Sequence, residues 1–240
     1  MSEQLYRWPP AAKFGRVVPK TKFYEHATLS ATLREKFVSE VQRITWAYKL
    51  ADETIHLRGN AAVPEIQVFS IDAKGQDISD DVLAAVDKAI QFPIIFEINR
   101  GDDKKALTRM VASHKKLGTV GPRLSAYFTT GWLPTDDSRV ALPPSLDLPG
   151  LYAGLLTAIL PVAPRPGEDV SEVTGRIGQA RKLEREIATL EKKLRTEPQL
   201  NRKVELRREL RDRTNLLVAL TTPATQKTED VLGKVAQWTR

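Results

Sequence analysis

Cysteine is missing from this chain of 240 residues. Disulfide bonds, thiolate metal sites and cysteine nucleophiles are therefore excluded for the chain itself. Its three histidines, His26, His56 and His114, are scattered, and none shows the HExxH spacing or another spacing typical of metal ligands. We therefore expect neither a metal site nor a cofactor.

Long apolar runs are also missing. No segment approaches the ~18–20 consecutive apolar residues that a membrane-spanning helix needs. The N-terminal sequence MSEQLYRWPP lacks the apolar stretch of a secretory signal. We expect a soluble cytoplasmic protein without membrane contact.

The sequence motifs of several common catalytic sites do not occur. GxGxxG, GxxxxGK[ST] and GxSxG are all missing, so nucleotide hydrolysis and the α/β-hydrolase mechanism have no support. The sequence therefore does not name a reaction.

Four residues near two predicted strands give one alternative, a divergent metal-dependent nuclease: Glu65, Asp72, Lys74 and Glu97. Phosphodiester cleavage of this kind needs carboxylates that hold Mg²⁺. However, Ile98 and Asn99 follow Glu97, where a restriction-endonuclease-like site would have a lysine two residues on. The composition of the segment from Asp72 to Gly75 is as typical of an ordinary turn as of a catalytic site. Whether the protein is an enzyme stays open, and we favour a non-enzymatic role.

Apolar periodicity predicts that residues 1–165 form an α+β domain. A helix is predicted from apolar residues that recur every three or four positions: Leu33, Phe37, Val41, Ile44 and Tyr48. Thr32 and Glu35 fit a capping box at its start. A short extended segment is predicted within Phe14–Tyr24, and a short helix over Leu151–Leu160.

Four further segments read as strands, because they are rich in β-branched and aromatic residues. They are Glu65–Asp72, Pro93–Ile98, Ala106–Ser113 and Leu124–Thr130. Ser79 is predicted to cap a helix between the first two, with Ile90 on its inner face. This order favours a mostly antiparallel sheet with packed helices.

Residues 166–222 are predicted to form an antiparallel, coiled-coil-like helical hairpin. One helix is expected from Ser171 to about Arg195, and the second from Pro198 to about Leu220. The seam and candidate partner-binding residues are Leu183, Ile187, Leu190, Leu194, Leu206, Leu210 and Leu217. A polar tail, 223–240, carries an amphipathic patch of Val231, Leu232, Val235 and Trp238.

So short a seam buries little apolar area, so we expect the hairpin to pack against its own domain, another copy or a different protein.

Positive charge is concentrated on the hairpin. The chain carries a net charge of +7, and residues 171–220 contain 13 Lys and Arg against 8 Asp and Glu. Such a surface favours polyanionic partners, although a charged helix face is often simply solvated. The candidate nucleic-acid contacts are Arg16, Lys20, Lys22, Arg207, Arg208, Arg211 and Arg213.

Several segments resemble a bacterial family of uncharacterised proteins, the DUF4391 family. They are PKTKFYEHA (19–27), VPEIQVFSI (63–71), DKAIQFPIIFEI (87–98), LPPSLDLPGLYAGLL (142–156) and NRKVELRREL (201–210). The resemblance runs over nearly the whole chain, but it supplies no catalytic residues. It implies a setting beside DNA methyltransferases and helicases in restriction-like or anti-phage gene clusters.

Taken together, these features favour an accessory or adaptor subunit of a DNA-modification or anti-phage assembly. The hairpin would bind a helicase or DNA methyltransferase, with nucleic acid as a further ligand. Homo-oligomerisation and sequence-independent nucleic-acid binding stay open as alternatives.

Overall fold

A seven-stranded sheet organises the first part of the chain in the computed structural model, which describes residues 4–26, 30–101, 105–118 and 121–222. Its strands are β1 (Lys13–Val17), β2 (Val41–Leu50), β3 (Ile66–Ala73), β4 (Ile94–Arg100), β5 (Leu107–Lys116), β6 (Arg123–Thr129) and β7 (Leu133–Pro134). They follow the order β1-β2-β3-β4-β5-β6, and β7 also pairs with β5. Only β3 and β4 are parallel among these described strands. The predicted α+β class and mostly antiparallel sheet are confirmed.

Five α-helices accompany the sheet among the described residues: α1 (Lys20–His26), α2 (Ala31–Glu40), α3 (Asp52–Ile55), α4 (Asp80–Ala89) and α5 (Leu148–Ile159). Helix α4 makes the crossover between the parallel strands β3 and β4. Phe23 of α1, Phe37 of α2 and Leu83 of α4 join one apolar core with Phe69 and Phe96 of the sheet. Helix α5 lies outside this cluster and packs against β5 and β6.

The predicted helix over Leu33–Tyr48 is wrong in its second half, because α2 ends at Glu40 and the chain continues as β2. Register shifts interrupt the β2–β3 pairing twice. Val41 and Ile44 consequently both reach the same core although they are three residues apart. A bulged strand thereby imitates the spacing of a helix.

The start of that helix also differs from the prediction. Ser30 is the N-cap, and its Oγ accepts a hydrogen bond from the N–H of Leu33 at 3.2 Å. The capping box of Thr32 and Glu35 is therefore wrong.

Other predicted elements differ at their boundaries. The extended segment within Phe14–Tyr24 is β1 followed by α1, and Ile90 lies just after α4. Helix α5 begins three residues early, because the Asp147 carboxylate accepts a hydrogen bond from the N–H of Gly150 at 2.8 Å.

Two long antiparallel helices follow, α6 (Val170–Thr196) and α7 (Leu200–Thr221), and they pack against each other. Their 27 and 22 residues correspond to about 40 Å and about 33 Å. Asp169 and Glu172 form a reciprocal capping box at the start of α6. Gln199 is the N-cap of α7, so Pro198 precedes the helix rather than beginning it.

The chain divides into two compact units, Met1–Pro161 and Val162–Arg240. Among the residues with described structure, no helix has the length and apolar character required to span a bilayer. The predicted polar tail with its amphipathic patch lies outside the described residues.

Candidate functional site

A row of four polar side chains crosses the sheet at the carboxyl ends of the parallel strands β3 and β4. The strand register places Arg43 beside Asp72, Asp72 beside Asn99, and Asn99 beside Thr108. Arg43 Nε donates to Asp72 Oδ2 at 2.8 Å, and Asn99 Nδ2 donates to Asp72 Oδ1 at 3.0 Å. Thr108 Oγ1 donates to Asn99 Oδ1 at 2.8 Å. Both carboxylate oxygens of Asp72 are thus occupied by protein donors.

Glu97 of β4 forms hydrogen bonds with two segments that are distant from it in the sequence. Its Oε1 accepts hydrogen bonds from Trp8 Nε1 at 2.8 Å and from Arg139 Nη1 at 2.6 Å. Arg139 Nη1 also donates to the carbonyl of Tyr6 at 2.9 Å. Glu97 and Trp8 are both buried. The carboxylate therefore anchors the N-terminal segment and the segment around Arg139.

The structure does not bring all four residues of the nuclease alternative together. Asp72 and Glu97 lie on the neighbouring strands β3 and β4, where Asp72 pairs with Asn99 and Glu97 with Ser70. Glu65 precedes β3 and is held by Gln67 and Lys49, whereas Asp72 is near the other end of the same strand. Lys74 Nζ donates to the carbonyl of Val38 at 2.7 Å. Within the part of the chain that the structure describes, no group of three or more His, Asp or Glu side chains could hold a metal ion.

A buried ion pair forms a second polar centre. Lys115 Nζ lies 2.5 Å from Asp87 Oδ1, and Asp87 Oδ2 accepts hydrogen bonds from Ser113 Oγ at 2.8 Å and Tyr127 Oη at 3.0 Å. Lys115 Nζ also donates to the carbonyls of Asp87, Ile90 and Phe92, at 2.7, 2.9 and 2.7 Å. The ammonium group therefore fixes the end of α4 and the connection into β4.

Burial governs the proton affinities around this pair. It lowers the pKa of Lys115, and the Asp87 carboxylate opposes that shift. Burial, reinforced by the charge of Asp87, raises the pKa of Tyr127. Tyr127 therefore stays a neutral hydrogen-bond donor. Nothing in the sequence spacing indicated this cluster.

The predicted seam residues of the hairpin differ in how deeply they are buried. Leu190 and Leu206 are buried, at 8% and 9% exposure. The remaining five are half-buried: Leu183, Ile187, Leu194, Leu210 and Leu217. Large apolar side chains that remain exposed on α7 are instead Leu200, Val204, Leu216 and Val218.

Two guanidinium groups close the open end of the hairpin. Arg176 forms a two-bond pair with Glu168, with nitrogen–oxygen distances of 2.6 and 2.7 Å, and Arg176 Nη1 donates to the Leu220 carbonyl at 3.0 Å. Arg165 Nη2 donates to the carbonyls of Ala219, Leu220 and Thr222. These bonds satisfy carbonyls at the end of α7 that have no helical partner. The Arg176 hydrogen bonds lower the pKa of Glu168.

The three N-terminal basic candidates have different surroundings. Arg16 and Lys22 are exposed, Arg16 on the edge strand β1 and Lys22 on α1. Lys20 Nζ donates to the carbonyls of Phe37 and Val41 at the end of α2. Burial and the charge of Lys74 lower the pKa of Lys20.

The four basic candidates on α7 also differ. Arg213 pairs with Glu186 at 3.4 Å and approaches Glu209 at 4.0 Å. Arg207, Arg208 and Arg211 are exposed and form no ion pair with any residue that the structure describes. These three guanidinium groups are the most accessible of the basic candidates on α7.

The α+β unit is thus built on a mixed sheet whose Asp72, Glu97 and Asp87 carboxylates accept hydrogen bonds from protein donors. The helical hairpin exposes arginine and aliphatic side chains. A family model described as "Domain of unknown function (DUF4391)" matches residues 7–216. The chain belongs to this family. No curated protein and no solved structure matches the chain.

Proposed function

We propose that the protein is a non-enzymatic accessory subunit of a bacterial DNA-modification or anti-phage defence assembly in the cytoplasm. The α+β unit serves as a docking module, and the hairpin binds a protein partner such as a helicase or DNA methyltransferase. The gene setting implied by the family resemblance supports the choice of assembly.

The exposed surface of the hairpin is the observation that supports the proposal. A three-residue turn closes one end of the hairpin and the Arg176–Glu168 pair closes the other. Contacts within the second unit therefore hold the two helices together. Three arginines and four large apolar residues nevertheless remain exposed on α7. Exposed apolar side chains clustered with arginine are typical of protein interaction surfaces.

The bonding of the carboxylates favours binding over catalysis in the α+β unit. Asp72 is engaged by Arg43 and Asn99, and Glu97 by Trp8 and Arg139. A metal ion would have to displace these donors before it could reach the oxygens. The carboxylates therefore fit a stabilising role.

Co-purification tests the proposal. The tagged chain is expressed with the products of neighbouring genes and compared with a variant that ends at residue 161, whose folding is checked by circular dichroism. We expect a helicase or methyltransferase to be recovered with the full chain and lost from the folded, shortened chain. Equal recovery would refute the role of the hairpin.

Sequence-independent nucleic-acid binding is a second candidate, favoured by the accessible Arg207, Arg208 and Arg211. Phosphate contacts release counterions, so the logarithm of the binding constant would fall steeply with the logarithm of salt concentration. Titration of a DNA duplex at several salt concentrations measures this slope. A flat response would exclude the candidate.

A further inference from the structure

Helix α7 carries a second longitudinal stripe besides its seam with α6. Successive members are separated by 4, 3, 4, 4 and 3 residues, and all six are exposed. We call this set the outer stripe: Leu200, Val204, Arg207, Arg211, Asn215 and Val218. Spacing by threes and fours is the repeat of a helix that packs lengthwise against another helix.

The outer stripe and the seam occupy different sides of α7. At about 100° per residue, the stripe's centre lies about 100° or more around the helix from Leu206, Leu210 and Leu217. Another helix can therefore pack lengthwise along the outer stripe without displacing α6 from the seam. Helix α6 covers one of them, while the other faces solvent among the described residues.

The chemistry of the outer stripe fits a protein better than a nucleic acid. Leu200, Val204 and Val218 are 73%, 58% and 55% exposed. Burying such aliphatic surface stabilises a protein complex, whereas phosphates offer nothing to cover it. Arg207 and Arg211 lie between these apolar residues. Carboxylates on a partner would complement the charge of the two guanidinium groups.

The acidic residues of α7 leave this charge uncompensated along the outer stripe. Glu205, Glu209 and Asp212 lie about 100° or more from its centre by the helical step. The stripe therefore presents a net positive, partly apolar face about 27 Å long from Leu200 to Val218.

A second copy of the chain is a poor occupant. Antiparallel pairing of two outer stripes would oppose Arg207 of one copy with Arg211 of the other, and parallel pairing would oppose each arginine with itself. Like charges placed opposite one another are destabilising. The occupant must instead carry negative charge.

We propose that the outer stripe binds an acidic amphipathic helix of a partner protein, which lies lengthwise along α7 on a side that α6 does not cover. This inference rests on the proposed function and specifies which surface of the hairpin the partner contacts. The partner helix places aliphatic residues against Val204 and Val218 and carboxylates against Arg207 and Arg211.

Fluorescence anisotropy with the full-length protein tests this inference. The probe is a labelled peptide of four EIAALEQ heptads, and the matched peptide has KIAALKQ heptads. We expect saturable binding of the acidic peptide and none of the basic one. Arg207→Glu with Arg211→Glu should weaken binding by about tenfold or more.

Lys192→Glu with Lys193→Glu is the matched control, because it makes the same charge change on exposed residues of α6. We expect its affinity for the peptide to stay within about twofold of the unaltered protein. Val204→Ser with Val218→Ser should also weaken peptide binding, by about three- to tenfold, because it removes apolar contacts.

Three results would overturn the inference. Equal weakening by both charge-reversing pairs would mean diffuse electrostatic attraction without a defined site. Binding of a DNA duplex that depends on Arg207 and Arg211 but not on Val204 and Val218, with no peptide binding, would make the stripe a nucleic-acid surface. If the peptide fails while co-purification still requires the hairpin, the proposed function stands and this inference does not.

Discussion

Lys115 and Asp87 form an ion pair in the interior of the α+β unit, 2.5 Å between Nζ and Oδ1, with side chains 0% and 1% exposed. Removing two charges from water is costly, so such a pair depends on further hydrogen bonds. Three backbone carbonyls surround Lys115, and Ser113 and Tyr127 donate to Asp87. The pair thereby fixes the crossover helix α4 against β5 and β6.

Replacing Lys115 with methionine should lower the free energy of unfolding by about 3–5 kcal/mol, because it leaves the Asp87 carboxylate buried without its partner. Urea unfolding followed by circular dichroism measures the change. Lys88→Met, at an exposed position on α4, is the control and should change stability by less than about 0.5 kcal/mol.

The double variant Asp87→Asn, Lys115→Met separates charge burial from packing. Once neither residue is charged, we expect it to be more stable than Lys115→Met alone. A double variant that is less stable than Lys115→Met would contradict the assignment of the loss to an uncompensated carboxylate.

Asp72→Ala and Glu97→Ala should each destabilise the protein by about 1–3 kcal/mol. Asp72→Ala removes one acceptor of the half-buried Asn99 amide, and Glu97→Ala removes the acceptor shared by the buried Trp8 indole and the half-buried Arg139. Urea unfolding measures this effect. A plasmid-cleavage assay with Mg²⁺ or Mn²⁺ accompanies it, and we expect neither change to alter the outcome. Metal-dependent cleavage by the unaltered protein that both substitutions abolish would establish the nuclease alternative instead.

Local sequence patterns suffice to predict the secondary-structure elements whose side chains follow a regular period. Strands β3 and β4 are dense in β-branched and aromatic residues, and α4 keeps a helical period between them, so all three were predicted. Strand β2 was missed because its bulges bring Val41 and Ile44 to one side with a helix-like separation. Alternation alone could not reveal irregular pairing with β3.

The polar row was beyond prediction because its members are joined only by register. Arg43 and Asp72 are 29 residues apart, and Asn99 is 27 residues beyond Asp72. The separation of Glu65 from Asp72, by contrast, follows from the predicted strand, because the two residues lie at its opposite ends. At about 3.3 Å per residue, the ends of this strand are about 23 Å apart, too far for both carboxylates to coordinate one metal ion.

Leu190→Ala and Leu206→Ala should each destabilise the hairpin by about 2–3 kcal/mol, since both side chains are buried and truncation leaves a cavity. Leu216→Ala is the matched control, because Leu216 is 52% exposed on the same helix as Leu206. Its effect should be less than about 0.5 kcal/mol. Urea unfolding monitored at 222 nm compares the three, and equal losses would contradict the assigned seam.

Acid should weaken the hairpin through Glu168. Its pKa lies below the ordinary value of 4.5, because Arg176 donates hydrogen bonds to the ionised carboxylate. A depressed folded-state pKa contributes stability that is complete above the unfolded pKa and disappears as pH falls through the folded value. The contribution should therefore be present at neutral pH and decline once the pH drops below about 5.

Comparing Glu168→Gln with the unaltered protein isolates this contribution, because all other carboxyl groups titrate in both. Urea unfolding at pH 7, 5, 4 and 3 should give a stability difference that is largest at pH 7 and shrinks with acidification. Glu53→Gln is a suitable control, since Glu53 also pairs with a basic residue, Lys49, but is 62% exposed and should show a much smaller difference. A Glu168→Gln difference that does not vary with pH would mean that the carboxylate stabilises the hairpin by packing and hydrogen bonding, independently of its charge.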